Sequence, residues 1–128
     1  MPRATQLTVC LDNRPGQVAR LAAALKKAKV NILAISVADS TDIGVVRLVV
    51  DKSAPARRAL ARVGLKPTPR AVVVVNLPNE PGALEALTSK LAAAGVNIDY
   101  VYGSVTKGGP DGTIVLGVDD VAKALRAV

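Results

Sequence analysis

Apolar and polar residues along the first half of the chain follow the periods of strands and helices in turn. Residues 6–11 alternate and predict a half-buried strand. Residues 30–38 and 45–50 are predicted as two further strands, with a four-residue turn at 39–42 between them. Residues 18–28 carry apolar side chains at helical spacing, and residues 54–63 form a second predicted helix with Ser53 as its N-cap. The stripe of the first helix consists of Val18, Leu21, Ala22, Leu25 and Ala28. The first half therefore has a β-α-β-β-α order.

The second half of the chain repeats this pattern 66 residues later. Val96-Asn97-Ile98 repeats Val30-Asn31-Ile32 without change, and Leu84, Leu87, Leu91 and Ala94 follow the first stripe. The connection at residues 106–111 is two residues longer than its counterpart, so the offset becomes 68 beyond it. A repeat that keeps its register through strands, helices and loops predicts two copies of one fold, at residues 1–70 and 71–128.

This element order predicts the α+β class and a split βαβ arrangement, with antiparallel sheets that carry both helices on one face. Residues 65–70 can supply the last strand of the first copy, where Pro67 and Pro69 favour an edge position. The sequence stops at Val128, directly after the last predicted helix. We therefore expect the second copy to lack its final strand and to leave an edge open to a partner.

A short polar loop stands before the first helix of each copy. Asn13, Pro15 and Gly16 align with Asn79, Pro81 and Gly82. Proline suits the first turn of a helix, and glycine allows dihedrals that other residues avoid. The helix should therefore begin with free N–H groups at the positive end of its dipole, which is a site for a small anion such as a carboxylate.

The side chains that most enzymes use are scarce. The chain has no His and one cysteine, Cys10, which leaves no Ser-His-Asp triad, no soft-metal cluster and no internal disulfide. The Asp residues fall mostly at predicted turns and element ends, where local conformation favours them. We expect no catalysis, no metal and no cofactor.

Charge is distributed unevenly between the copies. Residues 1–66 hold 12 Lys and Arg against 4 Asp, a balance of +8, whereas residues 67–128 hold 5 against 6, a balance of −1. A basic half fits nucleic acid or an acidic partner, and it equally fits solvated helix faces. Nucleic acid is the less favoured reading because no aromatic residues accompany these charges.

No stretch predicts a membrane span. The longest uninterrupted apolar run, residues 71–75, is far too short to cross a bilayer, and residues 1–6 do not resemble a secretory signal. We therefore expect a cytoplasmic protein.

Four asparagines occupy equivalent places in the two copies. Asn13 and Asn79 belong to the loops, whereas Asn31 and Asn97 open the second strands. These places lie at opposite ends of one helix, so two units are needed to bring both kinds of Asn to one ligand. An amide can donate to a carboxylate and accept from an ammonium. Asn is also common at turns and strand starts for conformational reasons alone, and both readings stay open.

Other functions of this architecture find less support. RNA recognition needs aromatic side chains on the central strands, and residues 45–50 and 113–118 have none. A copper chaperone needs a Cys-x-x-Cys loop, which the chain lacks. An acylphosphatase-like cradle could use Asn13 and Arg14, but the second copy has Glu80 in place of Arg14.

The chain resembles the ACT family, whose small βαββαβ (ferredoxin-like) modules sense amino acids and regulate metabolic enzymes. The resemblance rests on Leu-Asp-Asn-Arg-Pro-Gly at 11–16, Leu-Pro-Asn-Glu-Pro-Gly at 77–82, and the two Val-Asn-Ile segments. It covers nearly the whole chain as two tandem copies, as in stand-alone bacterial tandem-ACT proteins. Serine sensors of the family have a His two residues before the loop Asn, where this chain has Leu11 and Leu77.

The resemblance implies a non-catalytic regulatory protein that binds a small free amino acid between paired units. The implied contacts, with their loop and strand neighbours, are Asn13, Arg14, Pro15, Gly16, Asn31, Ile32, Asn79, Glu80, Pro81, Gly82, Asn97 and Ile98. It also suggests a homodimer. The alternative is a subunit that acts in trans on an amino-acid biosynthetic enzyme, like the small subunit of acetolactate synthase.

Overall fold

The computed structural model describes residues 3–105 and 109–128. Within these ranges the chain forms six strands and four helices. In order they are β1 (Arg3–Asp12), α1 (Gln17–Lys27), β2 (Ile32–Ser40), β3 (Ile43–Val50), α2 (Ser53–Arg62), β4 (Thr68–Pro78), α3 (Ala83–Ala93), β5 (Ile98–Val105), β6 (Asp111–Val118) and α4 (Val121–Ala127). The predicted α+β class and the repeated β-α-β-β-α order are confirmed.

The chain divides into two compact units. One unit is Thr5–Arg70, and the other is Ala71–Val128 together with the N-terminal residues as far as Ala4. In the first unit, β3 pairs antiparallel with β1 on one side and with β2 on the other. In the second unit, β6 lies in the same way between β4 and β5. The assignment of residues 1–70 and 71–128 as two domains stays a prediction.

Each unit buries one face of its strands under two helices. In the first unit, Leu7 and Val9 of β1 pack with Leu21 of α1, Leu48 of β3 and Leu60 of α2. In the second unit the corresponding cluster joins Val73, Leu87, Leu91, Leu116 and Ala124. Since residues from both helices meet the same strand face, the predicted placement of both helices on one face of the sheet is confirmed.

The predicted apolar stripe of the first helix is confirmed at Leu21 and Leu25 and wrong at Val18 and Ala22. Val18 is 42% exposed and Ala22 is also exposed, whereas Gln17 is 8% exposed. Leu84, the counterpart of Val18, is 46% exposed. The buried line of α1 runs through Gln17, Leu21 and Leu25 at a spacing of four, which turns Val18 away from the core.

Several predicted boundaries shift because pairing continues further than the turn residues suggested. Strand β2 pairs with β3 as far as Ser40 opposite Ile43, so the predicted four-residue turn contracts to two residues. Residues 65–70 do not form a separate strand, because Thr68–Arg70 begin the continuous strand β4. Among the described residues, no strand follows α4. The first residues of β1, as far as Ala4, belong to the same unit as α4. The predicted connection at 106–111 lies partly outside the described residues.

The predicted cap of the second helix was also wrong. Ser53 is the first residue of α2, and Lys52 occupies the N-cap position in an extended conformation with no side-chain cap. The equivalent residue in the second unit is Asp120, whose Oδ1 accepts a hydrogen bond from the N–H of Lys123 at 3.0 Å. The two copies therefore begin these equivalent helices with opposite charges.

Candidate functional site

The two Asn-x-Pro-Gly loops have the same backbone conformation. Gly16 and Gly82 are the N-cap residues of α1 and α3, each with φ of 87° in the left-handed region. A Cβ atom at either glycine would meet no other atom within 4 Å, so the requirement for glycine is conformational rather than steric. Pro15 and Pro81 lie in the turn before the N-cap, not in the first helical turn as predicted.

The loop asparagines join each loop to a neighbouring hairpin connection. The Asn13 N–H donates to the Asp42 carbonyl at 2.8 Å, and its Nδ2 donates to the Thr41 carbonyl at 3.0 Å. Asn79 makes the same two bonds, to the carbonyls of Pro110 at 2.9 Å and Gly109 at 3.1 Å. These bonds give the asparagines a structural role in both copies. Among the described residues, no bond is seen to the side-chain oxygen of either asparagine, which can therefore accept one.

Several N–H groups at the helix starts have no acceptor among the described residues. The first helical bond of α1 runs from the Arg20 N–H to the Gly16 carbonyl at 2.9 Å, and that of α3 from Ala86 to Gly82 at 3.0 Å. The N–H groups between these residues point away from the helix. Only that of Ala83 has an acceptor, the Glu80 carbonyl at 3.3 Å. The loop therefore presents donors at the positive end of a helix dipole, as predicted.

Asn31 and Asn97 lie at the opposite end of their helices from the loops. The Asn31 N–H donates to Asp51 Oδ1 at 2.9 Å, and the Asp51 N–H donates back to the Asn31 carbonyl at 3.1 Å. Asn97 and Asp119 repeat this exchange at 3.0 and 3.1 Å. Because the intervening helix has 11 residues and so spans roughly 16 Å, a unit by itself does not bring its two asparagines together.

The other predicted strand residues have structural surroundings. Ile32 and Ile98 start β2 and β5, and each packs, partly buried, against the core of its unit. Asn97 Nδ2 also donates to Asp99 Oδ1 at 2.9 Å.

A cavity of about 420 Å³ opens beside the second loop. Glu80, Pro81 and Gly82 form part of its wall, and Lys90 of α3 faces it from two helical turns further on. The remaining wall is mainly aliphatic, from Val75, Leu77, Pro78, Ala83, Ala86, Leu87 and Val128. The sequence interpretation missed Lys90, although Gly82, Ala86 and Lys90 follow the spacing of four that places residues on one helix face.

The two loops differ in charge. Arg14 of the first loop approaches Asp12 with an Nε–Oδ2 distance of 3.6 Å, and both side chains are mostly exposed. The second loop has Glu80 at the position of Arg14, next to the cavity that Lys90 also lines. The second loop thus combines a carboxylate, an ammonium group and free N–H donors.

The described residues offer neither a metal-binding cluster nor a helix that could span a membrane. Within residues 3–105 and 109–128, no group of three or more His, Cys, Asp or Glu side chains could hold a metal ion. No helix in the same ranges is long and apolar enough to cross a membrane.

Comparison with protein families identifies the class. The family model of the ACT domain pair matches residues 3–128, and the chain therefore belongs to the ACT family as a tandem pair. The curated proteins contain no match.

Solved structures agree with this fold. The chain is similar to protein BT0572 from Bacteroides thetaiotaomicron, with 28% identity, a TM-score of 0.91, and coverage of 98% of this chain and 85% of that one. It is also similar to the ligand-free regulatory subunit of aspartate kinase from Thermus thermophilus, with 18% identity, a TM-score of 0.75, and coverage of 98% and 91%. The regulatory subunit of aspartate kinase from Thermus flavus matches with 18% identity, a TM-score of 0.67, and coverage of 99% and 90%. The two Thermus structures support the fold alone.

Proposed function

We propose that this ACT pair is a non-catalytic regulatory protein that binds a small free amino acid at its Asn-x-Pro-Gly loops. The observation that carries the proposal is the loop's duplication. Both copies keep the left-handed glycine, the same two Asn bonds and unpaired N–H groups at a helix start.

The chemistry of the second loop fits the two charged groups of an amino acid. The carboxylate binds the N–H groups at the start of α3, where the helix dipole favours an anion. The ammonium group binds Glu80 and the free amide oxygen of Asn79, because both accept hydrogen bonds. The aliphatic wall of the cavity then receives a small apolar side chain.

Asn31 and Asn97 would contact a ligand that is bound at the loop of another unit. Since each lies a full helix away from its own loop, another unit has to bring one of them to a loop-bound ligand, and a homodimer with four units offers such pairings. Binding then favours the arrangement of copies in which the site is complete, by at most the ligand's difference in affinity between arrangements. The regulated partner would be an amino-acid biosynthetic enzyme, acted on in trans in the cytoplasm.

Thermal unfolding with a panel of the twenty proteinogenic amino acids tests the proposal. A ligand at a hundredfold excess over its dissociation constant adds about 2.7 kcal/mol to the free energy of unfolding, so one or a few amino acids should raise Tm by several degrees. Each stabilising amino acid is then repeated as its carboxamide and as its N-acetyl derivative. Both derivatives should lose the effect, because each removes one of the recognised charges.

Variants locate the site in the same assay. Asn79→Ala and Glu80→Gln should reduce the ligand-induced shift at the second loop, and Asn13→Ala should reduce any contribution of the first. The shift is compared with each variant's own ligand-free Tm, because the asparagines also stabilise the loops. If no amino acid shifts Tm and calorimetry detects no binding heat, the proposal is wrong and a ligand-independent interaction subunit replaces it.

A further inference from the structure

The helix side of the unit Thr5–Arg70 is basic, and no acidic residue lies on its helices. Helix α1 carries Arg20, Lys26 and Lys27, and α2 carries Arg57, Arg58 and Arg62. The four acidic residues of the unit lie outside both helices, at Asp12, Asp39, Asp42 and Asp51. The ion pair between Arg14 and Asp12 involves none of the helical cations.

The second unit shows that this charge is not a requirement of the fold. At the positions equivalent to Arg20, Lys26 and Lys27 it has Ala86, Ala92 and Ala93. The equivalent helix of the second unit therefore forms without these three charges, as the high helix propensity of alanine allows.

Two further basic residues of the first unit stand where local structure favours another residue. Lys29 has a left-handed φ of 59°, and its counterpart is Gly95 with φ of 74°. Lys52 places a positive charge at the N-cap of α2. Its counterpart in the second unit is Asp120, whose side chain caps α4. Left-handed conformation strains a side-chain-bearing residue, and a cation opposes the helix dipole at this end. The first unit therefore retains positive charge at a cost in local stability.

Two grooves flank α2, and each is lined by basic residues together with aliphatic side chains. The groove between α2 and the segment that follows it, of about 440 Å³, is lined by Ala54, Arg57, Arg58, Ala61, Leu65, Lys66 and Pro67. The α1–α2 groove, of about 210 Å³, is lined by Ala24, Lys27, Ala28, Ala59, Arg62 and Val63. Each groove thus combines exposed cations with aliphatic side chains.

We infer that these two grooves form a docking surface for an acidic segment of a partner protein, in which carboxylates alternate with small apolar side chains. The carboxylates pair with the arginines, for which bidentate geometry is available, and the apolar side chains pack against the aliphatic side chains of the grooves. The surface does not depend on amino-acid binding at the loops, so the two proposals can fail separately.

Other anions fit the grooves less well. A phosphodiester backbone has no apolar group for the aliphatic side chains of the grooves, and the unit has no Phe, Trp or Tyr on which bases could stack. A small phosphorylated molecule would need cations that converge, whereas the two grooves lie on different sides of α2.

Fluorescence anisotropy with the full chain tests the inference. The probe is a short labelled helical peptide of Glu, Ala and Leu, compared with a peptide in which Ser replaces every Leu at the same charge, and with labelled duplex DNA. We expect the Leu peptide to bind about tenfold more tightly than the Ser peptide or the duplex at moderate salt, because burial of apolar side chains adds to charge pairing. Equal binding of the two peptides, or tighter binding of the duplex, overturns the inference.

Charge-reversal variants then locate the surface. The double variant Arg57→Glu with Arg62→Glu changes one cation of each groove. It should weaken binding of the Leu peptide by about tenfold or more, since attraction becomes repulsion. The matched control is Lys123→Glu with Arg126→Glu on α4 of the other unit, which should leave affinity within about twofold. Where circular dichroism shows that the reversed variant does not fold, Arg57→Gln with Arg58→Gln replaces it. Unchanged affinity in a folded variant overturns the inference.

Discussion

The two units share a core and a loop but differ in the outer surface of their helices. Leu25 and Leu91, equivalent residues of α1 and α3, are 1% and 0% exposed, and Ala56 and Ala124 are both fully buried. Outside the core, the cations of α1 correspond to alanines of α3. The two copies thus agree at these core positions and at the Asn, Pro and Gly of the loops, whereas the surfaces of their helices differ. A function shared by both copies belongs with the loops, and a function of one copy belongs with its surface.

The largest expected effect tests the shared core. Leu25→Ala and Leu91→Ala should each lower the free energy of unfolding by about 2–5 kcal/mol, because each leaves a cavity in a fully packed cluster. Urea unfolding followed by circular dichroism measures both. Similar losses support two equally packed copies, and a loss below about 1 kcal/mol in one variant would show that its unit repacks around the cavity.

The matched controls for this experiment are the exposed members of the same predicted stripes. Val18→Ala and Leu84→Ala remove side chains that are 42% and 46% exposed. Each should change the free energy of unfolding by about 0.5 kcal/mol or less, as surface substitutions usually do. A core-sized loss at either position would mean that the helix faces the core as the sequence pattern suggested.

The sequence predicted the elements whose signal lies in local periodicity. The paired strands and the buried positions Leu21 and Leu25 follow from alternation, helical spacing and the internal repeat. The pattern could not show that Gln17 replaces Val18 on the buried face, because Val18 has the helical spacing and a more apolar side chain. Ser53 failed as a cap because the helix begins at the serine itself, a shift of one residue that composition does not reveal.

The candidate site was predictable only in part, for a related reason. The loops were recognisable because their Asn, Pro and Gly recur at a fixed offset. The bonds from Asn13 and Asn79 to carbonyls of the hairpin connections depend on tertiary approach, which no local pattern encodes. Lys90 was missed because its place beside the second loop needs the helix orientation.

The caps of α2 and α4 provide a comparison with opposite expected signs. Lys52→Asp introduces the residue that caps the equivalent helix, and should raise the free energy of unfolding by about 1 kcal/mol. Asp120→Ala removes the bond to the Lys123 N–H and should lower it by about 1 kcal/mol. Urea unfolding measures both changes. A destabilising Lys52→Asp would show that the Lys52 Nζ bond to the Lys29 carbonyl, at 3.3 Å, outweighs the missing cap.

The left-handed residues after α1 and α3 should show a smaller difference of the same kind. Lys29→Gly relieves a strained φ of 59° and should stabilise the protein by about 0.5–1 kcal/mol, reduced by the greater freedom of glycine in the unfolded chain. Gly95→Ala should destabilise by about 1 kcal/mol, because the nearest atom to the new Cβ is Lys123 Nζ at 4.0 Å and only conformation opposes it. Thermal unfolding measures both, and Lys29→Asn, which tolerates this conformation, is an intermediate control. A neutral Gly95→Ala would remove conformational strain as the reason for the difference.

The smallest expected effect on stability comes from exchanging the charges of the two loops. Arg14 and Asp12 form an exposed pair, with 62% and 73% of their side chains accessible, so Arg14→Glu should change the free energy of unfolding by about 0.5 kcal/mol or less. Glu80→Arg should be equally mild for the fold, because both loops have the same backbone with either residue.

Only Glu80→Arg should abolish the amino-acid-induced rise in Tm at the second loop, since an arginine there repels the ammonium group. If Arg14→Glu instead creates a new or stronger rise in Tm, the first loop has the same donors and lacks only the acceptor. If both exchanges leave the ligand response unchanged, loop charge does not determine recognition and the backbone donors alone must bind the ligand.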